Sequence, residues 1–220
     1  MQEYLILKLE GPLQAWGGHT FEDRRLSELF PTRSGLLGLL AACLGIDRTD
    51  TEKQQTLAAS VLFAVRVDGV PVKMVDYHTV KGARKEYQGL KQNETIQTWR
   101  EYLQDAKSTV CFSVAIWLTE HAVISLDGLV NAINKPFYTP FLGRRSCPIT
   151  RPLFEGRVIK KNEYQALASF GPVGGTVYSE SLDEAKPKLL IRDVPIPGRK
   201  RQFSTRLISV HVGKGGKYVS

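Results

Sequence analysis

The stretch "EYLILKLEG", residues 3 to 11, is apolar at almost every position until Lys8. A strand with one face in solvent would alternate between apolar and polar residues, whereas a continuous apolar run is typical of a strand buried on both faces. We therefore predict that the chain opens with a β-strand inside a sheet that is covered on both sides.

The stretch "PTRSGLLGLLAACLG", residues 31 to 45, predicts the first helix. Thr32 or Ser34 can cap its start, a leucine stripe follows, and Gly45 can end it. Small residues at positions 35, 38 and 42 form one face of this helix, which would let another backbone come close.

Two more strands are predicted by "SVLFAVRVDG" (60–69) and "TVCFSVAIWLTE" (109–120), and a short helix capped by Ser125 by "SLDGLVNAINKP" (125–136). The order strand, helix, strand, insertion, strand, helix predicts an α+β fold with a modified ferredoxin-like or RNA-recognition-type palm. Residues 1–75 and 108–220 would form the palm, and residues 76–107 an inserted thumb. The turn-rich half after Pro136 is expected to form a second, less regular β-sheet that packs on the first unit.

The insertion contains "KGARKEYQGLKQNETIQTWREYL", residues 81 to 103, in which basic and aromatic side chains interleave. The spacing of Ile96, Trp99 and Leu103 predicts a short amphipathic helix whose apolar face forms a small core of its own. The basic first half could bind phosphates, and Tyr87, which has no apolar neighbours in sequence, is the better candidate for stacking on a base.

The formal net charge is +8 and the isoelectric point is about 9.4. The basic residues concentrate in two segments, 144–161 and 186–217. Clustered positive charge is expected of a protein that binds a phosphate backbone, although a solvated basic surface has the same composition.

Several function classes find no support in the sequence. The three cysteines lack metal-ligand spacing and their odd number argues against a disulfide framework, which favours a reducing cytoplasm. The histidines have no ligand partner at metal spacing, and no phosphate-binding or dinucleotide-binding glycine motif occurs, so we predict neither a metal nor a cofactor. No signal peptide and no apolar run of bilayer length is found, so no membrane association is expected.

Catalysis has one candidate chemistry, a metal-free ribonuclease, which needs a general acid and a general base near the 2′-hydroxyl. His78 with Tyr77 and Lys81, or His19 with Arg24, could supply them. Proximity in sequence does not assemble a site, and a lone histidine is more often structural. We therefore predict no catalytic residues and a protein that is not an enzyme.

Five motifs in this order carry a family resemblance: "FPTRSGLLGLLAACLGI" (30–46), "DYHTV" (76–80), "NETIQTWREYL" (93–103), "LGRRSCP" (142–148) and "PVGGTVYSE" (172–180). The chain resembles the CasD family, the subunits that cap the 5′ handle of the guide RNA in type I-E CRISPR surveillance complexes (Cascade). The resemblance runs from about residue 3 to about residue 212 and includes "GRKRQF" (198–203).

The resemblance implies a non-catalytic RNA-binding protein of the repeat-associated Cas superfamily that works in an antiviral ribonucleoprotein complex. Its palm would grip the 5′ handle, its thumb would reach the first backbone subunit, and the large subunit that reads the protospacer-adjacent motif would dock at the same end. Target DNA would be reached only indirectly. Type I-C relatives cleave the repeat themselves, so a metal-independent, repeat-processing endoribonuclease remains the alternative.

Charge and resemblance together place the expected RNA contacts at the first helix start with the loop before it, in the thumb, and in two C-terminal arginine clusters. The expected RNA-binding residues are Gln14, Trp16, His19, Arg24, Arg33, Ser34, Lys81, Arg84, Lys85, Tyr87, Lys91, Arg144, Arg145, Arg199, Lys200 and Arg201. For the adjacent pair Arg144 and Arg145, the alternative is that Arg145 is a structural arginine bonded to backbone carbonyls in a turn, and one of the two is expected to have this role.

Overall fold

A computed structural model describes residues 1–18, 23–81, 95–105, 110–171, 174–196 and 202–213 of the chain. The strands are β1 (Gln2–Gly11), β2 (Trp16–Gly17), β3 (Arg24–Arg25), β4 (Ser27–Glu28), β5 (Val61–Val67), β6 (Val72–Lys81), β7 (Thr95–Gln104), β8 (Val110–Leu118), β9 (Phe154–Lys160), β10 (Thr176–Ser179), β11 (Lys188–Pro195) and β12 (Phe203–Val212). The helices are α1 (Arg33–Leu44), α2 (Thr51–Ser60), α3 (Leu126–Asn134) and α4 (Glu163–Ala168). The chain is thus a mixed, sheet-rich structure.

The main sheet has seven strands in the order β11-β12-β10-β5-β8-β1-β9, and all neighbouring pairs are antiparallel. In β1, Leu5, Leu7 and Leu9 enter the large core under α1 and α3. Tyr4 and Ile6 point to the opposite face and join a smaller core with residues of α4. The prediction of a first strand buried on both faces is confirmed.

Helix α1 begins and ends where the sequence predicted. The Thr32 side chain accepts a hydrogen bond from the Gly35 amide, and Gly45 closes the helix in the left-handed conformation with φ of 71°. Gly35 permits a close approach, because a Cβ there would lie 2.7 Å from Cε3 of the Trp16 ring. The same expectation is wrong for Gly38, which is exposed and has open space where a Cβ would be.

The predicted helix in the insertion is wrong: residues 95–104 form strand β7, which pairs antiparallel with β6 in a long hairpin. The physical reason lies in the residue types, since Thr95, Ile96, Thr98, Trp99 and Tyr102 are β-branched or aromatic and favour an extended backbone. Strand β3 adds to the outer edge of β7 in parallel, which completes a three-stranded sheet.

The root of the hairpin packs into the main core rather than forming a core of its own. Leu103 is fully buried and Tyr102 nearly so, and both belong to the large core. Leu103 also exchanges two backbone hydrogen bonds with Gln14, at 3.0 and 2.7 Å. The division into a palm and a thumb at residues 76–107 stays a prediction, but the hairpin strands already begin at Val72.

The C-terminal strands do not form the expected second sheet. β10, β12 and β11 extend the main sheet beyond β5, and β9 pairs with β1 at its other side. Val65 lies opposite Tyr178 and Leu5 opposite Arg157, so both sides of the N-terminal strands are closed by later parts of the chain. Edge strands have unpaired backbone groups that other strands can satisfy. For β1 and β5, later strands of the same chain provide this pairing.

The two glycines of α1 give a matched test of this packing. Gly35→Ala should lower the free energy of unfolding by about 1–3 kcal/mol, because its methyl group would overlap the Trp16 ring. Gly38→Ala should raise it by about 0.5–1 kcal/mol, because the methyl enters open space and alanine favours the helix. Urea denaturation of both variants measures the difference, and equal effects of the two substitutions would contradict the contact.

Candidate nucleic-acid interface

The loop after β1 was expected to meet RNA, but its side chains are buried. Gln14 donates from Nε2 to the carbonyls of Leu9 at 3.0 Å and Val110 at 2.8 Å, and its Oε1 accepts from Nε1 of Trp16 at 3.0 Å. Gln14 and Trp16 are both fully inaccessible to solvent. These two residues are therefore structural: both amide protons of Gln14 are donated inside the protein, and the buried indole cannot stack on a base.

The start of α1 is likewise occupied by protein groups. The Arg33 amide donates to the Asp193 carboxylate at 2.7 Å, so the positive end of the helix dipole already faces an anion. The Arg33 guanidinium pairs with Glu180 at 2.5 Å and donates to the Ala58 carbonyl at 2.7 Å. The predicted phosphate site at Arg33 and Ser34 is therefore not open in this structure.

Arg206 completes a nearly buried network of two guanidiniums and two carboxylates. Its Nε and Nη2 donate to the two oxygens of Asp193 at 2.6 and 2.8 Å, and its Nη1 lies 2.9 Å from Glu180. With Arg33 on the other side of both acids, each charge in the network has an opposite partner, as a buried charge requires. These two arginines thus join α1 to β12, and their charge is not presented to a ligand.

One arginine of the adjacent pair is structural, but it is Arg144 and not Arg145, the residue named for that role from the sequence. Arg144 donates to the carbonyls of Glu101 at 2.7 Å and Arg25 at 2.8 Å, and its guanidinium lies over the Tyr102 ring at 4.8 Å. It therefore braces β3 and β7 against the loop that follows α3. Arg145 is exposed and remains a predicted RNA contact.

Much of the basic segment 144–161 is also paired. Arg157 lies between Glu3 and Asp127, at 2.8 and 2.5 Å, and Arg151 pairs with Glu155. The total of positive charge in a segment therefore overstates what a phosphate backbone could meet.

Several predicted contacts lie outside what the structure describes. His19, Arg84, Lys85, Tyr87, Lys91, Arg199, Lys200 and Arg201 lie outside the described residues, and the side chain of Lys81 is not described. These residues stay predictions.

One exposed row of side chains combines charge with flat rings. Arg24, Trp99 and Tyr77 lie directly opposite one another on β3, β7 and β6, so their side chains share one face of the three-stranded sheet. Arg24 is exposed, Tyr77 is 50% exposed, and the Tyr77 and Trp99 ring centroids are 5.1 Å apart. Of these three residues, the sequence predicted only Arg24 as an RNA contact. The helix predicted for this stretch placed Trp99 in a small core of the insertion, so its position on a sheet face was missed.

The root of this face is held by an ion pair. Lys73 lies 3.0 Å from Glu101, which also accepts a hydrogen bond from the Ser27 amide at 3.0 Å. Burial raises the pKa of the Glu101 carboxyl, but the Ser27 amide and Lys73 outweigh it, so that pKa lies below its usual value. Glu101 therefore stays ionised and fixes β7 against the short strand β4.

The candidate catalytic groups do not converge. Tyr77 and His78 are neighbours on a strand, so their side chains point to opposite faces of the hairpin. His78 pairs instead with Asp76 at 2.6 Å. The second pair, His19 and Arg24, includes a residue outside the described ranges.

No group of three or more potential metal ligands occurs among the residues that the structure describes. The three cysteines are free, and burial raises the pKa of the Cys43 thiol to about 11, which keeps it unreactive. Within the described ranges, no helix has the length and apolar character needed to cross a bilayer.

The fold of this chain is that of a CRISPR-associated protein. The chain matches the family described as "CRISPR-associated protein (Cas_Cas5)" over residues 4–209, and it belongs to that family. At the level of the individual protein, it is 52% identical to "CRISPR system Cascade subunit CasD" of Escherichia coli (strain K12), over the full length of both chains.

Solved structures agree with the family assignment. A chain of a "CRISPR RNA-guided surveillance complex" is 27% identical, with a TM-score of 0.72, and the match covers 96% of this chain and 90% of that one. A protein solved as "Crystal structure of Cas protein" is 28% identical, with a TM-score of 0.65 and coverage of 95% and 94%.

The adjacent arginines give a matched test of their two roles. Arg144→Ala should lower the free energy of unfolding by about 2–4 kcal/mol, because it leaves two backbone carbonyls without charged donors. Arg145→Ala should leave stability unchanged within about 0.5 kcal/mol, as expected of an exposed side chain. Thermal unfolding followed by circular dichroism distinguishes them, and an Arg144→Ala protein as stable as the parent would show that the brace contributes nothing.

Proposed function

We propose that this chain is the subunit of a type I-E CRISPR surveillance complex, Cascade, that binds and caps the 5′ handle of the guide RNA. The observation that carries the proposal is the 52% identity to Cascade subunit CasD over the whole length of both chains. A match without large gaps at either end favours the same role in the same kind of assembly. The protein would work in the cytoplasm, where the guide RNA meets its target.

The strand order supports a ferredoxin-like palm. Strands β1, β5, β8 and β9 correspond to the first to fourth strands of that fold, and they lie in the order β9-β1-β8-β5. This is the 4-1-3-2 arrangement of two interleaved strand–helix–strand units, with α1 and α3 as the two helices. RNA-recognition modules use sheets of this kind to hold single-stranded RNA.

The surface proposed for RNA begins at the row formed by Arg24, Trp99 and Tyr77. A guanidinium beside two partly exposed rings can bind a phosphate while a base stacks on a ring. Arg145, Lys81 and the predicted contacts outside the described residues are proposed to belong to the same interface. Gln14, Trp16 and Arg33 are left out of it because their polar groups are used inside the protein.

The partners in this proposal are the guide RNA, the first backbone subunit, which the hairpin would reach, and the large subunit that reads the protospacer-adjacent motif. Target DNA would be contacted through the complex. The subunit is proposed to be non-catalytic, because Tyr77 and His78 point to opposite faces and form no acid–base pair.

Co-expression tests the proposal directly. The protein, expressed with the other subunits and a CRISPR array, should copurify with guide RNA that carries an intact 5′ handle. Incubation of the purified protein with repeat RNA in EDTA should leave the RNA whole. Specific cleavage in EDTA would instead establish the endoribonuclease alternative, and a complex that forms normally without this chain would contradict the capping role.

Two exposed tyrosines give a matched test of the stacking face. Tyr77→Ala should weaken retention of handle RNA by about 1–3 kcal/mol, the usual contribution of one stacked base. Tyr138→Ala, which removes a tyrosine that is 45% exposed on the loop after α3, is the control and should leave binding unchanged. Fluorescence anisotropy at several salt concentrations measures both, and equal losses would remove the hairpin face from the interface.

A further inference from the structure

Strand β11 is an outer strand of the seven-stranded sheet, and one of its sides has no strand beside it among the described residues. The hydrogen-bond pattern shows which backbone groups point that way. The Val210 amide donates to the Pro187 carbonyl at 2.8 Å, so residues 187, 189 and 191 form the hydrogen-bonded pairs with β12. Because the pattern alternates, the N–H and C=O groups of Lys188 and Leu190 point away from β12, toward the open side.

The side chains around this edge are unusually apolar for a solvent-exposed strand. Leu189 is 40% exposed, Leu190 is 63% exposed, and Leu207, directly opposite Leu190 on β12, is 47% exposed. Natural sheet edges are commonly protected by charge, proline or a bulge. In β11 the bulge between Arg192 and Val194 and the proline at Pro195 lie in the second half, and Lys188 is the one charged residue of the first half, whose backbone remains open for pairing.

A groove of about 570 Å³ lies along this edge. Leu29 and Phe30 line it on the side away from the strand, and Lys73 and Glu28 lie in its wall. Burial raises the pKa of the Glu28 carboxyl, and the nearby acids add to the effect against the opposing charge of Lys73. A segment placed beside β11 would meet the apolar side chains of Leu29, Phe30 and Leu189, next to the charged groups of Glu28 and Lys73.

Its other face would meet positive charge. Lys188, Leu190 and Arg192 alternate with Leu189 and Ile191, so they share the face of β11 opposite to the buried Ile191, and Leu190 and Arg192 also border the groove. Lys188 and Arg192 are both exposed and flank Leu190 on either side. Opposite charges in directly facing positions stabilise neighbouring strands, so acidic side chains suit this face.

We propose that the open edge of β11 pairs with an extended segment of a protein partner, which adds one more strand to the sheet. The segment would alternate apolar side chains, directed into the groove, with acidic ones directed toward Lys188 and Arg192. Backbone pairing supplies the affinity in this mode of recognition, and the alternate side chains supply the specificity. The proposal deepens the proposed function, since the partner would be another protein subunit of the same complex.

Amide hydrogen exchange tests the pairing on the free protein and on the purified, complete complex. The Lys188 and Leu190 amides should exchange about tenfold more slowly or better in the complex, because each would gain a strand hydrogen bond. The guide RNA content of the same preparation reports separately on the proposed function. Normal RNA content with unprotected amides would overturn the pairing alone, and a complex without RNA would contradict the proposed function.

Variants at the edge separate the backbone from the side chains. Leu190→Pro removes an amide that makes no bond within the sheet, and should release the partner segment, as seen in a lost subunit or a weaker complex. Leu190→Ala keeps the amide and should have a smaller effect. If Leu190→Pro fails to fold, the charge reversal of Lys188→Glu with Arg192→Glu decides, because an acidic segment should then be repelled. An unchanged complex in both variants would overturn the proposal.

Three other occupants of the β11 edge can be distinguished, and each would give a result that overturns the proposal. Protection that rises with concentration in the free protein would identify a second copy of the chain. Protection by guide RNA alone, without any protein subunit, would identify nucleic acid. Protection in the free protein that is lost on truncation after Gly213 would identify the C-terminal tail.

Discussion

The relative positions of the main sheet, the hairpin and the first helix depend on the hydrogen bonds of Gln14. Its side chain forms hydrogen bonds with carbonyls on β1 and β8 and with the Trp16 ring. Its backbone forms hydrogen bonds with Leu103 of the hairpin. Trp16 in turn packs against Gly35 of α1. A single buried residue, together with the Trp16 ring that it holds, therefore fixes the sheet, the hairpin and the first helix relative to one another.

These hydrogen bonds explain why the loop after β1 would support the proposed RNA interface without contacting RNA itself. Buried polar networks hold their members in one geometry, and groups used in this way cannot also bind a ligand. Arg33, Arg144 and Arg206 follow the same rule, since their guanidiniums are bound to internal carbonyls or carboxylates. In the proposed function, the surface for RNA would therefore begin at exposed residues of the three-stranded sheet, such as Arg24 and Tyr77.

The sequence contained enough information for the elements whose signals are local. β1 shows an unbroken apolar run, and α1 has its cap, its stripe and its terminal glycine in order. The hairpin was missed because Ile96, Trp99 and Leu103 satisfy a helical spacing, while the long pairing with β6 that decides the matter joins residues distant in sequence. Arg144 and Arg145 are identical in type, and only the carbonyls of Arg25 and Glu101 determine which of them is structural.

The network of Arg33, Glu180, Asp193 and Arg206 has a consequence for synthesis on the ribosome. Helix α1 is complete in sequence by residue 45, yet the anions that neutralise Arg33 emerge more than a hundred residues later. Until then the arginine has no buried partner, and the sheet lacks the strands that close β1 and β5. The N-terminal half thus cannot reach its native stability before the last strands have been synthesised, and its apolar strands stay incompletely packed until then.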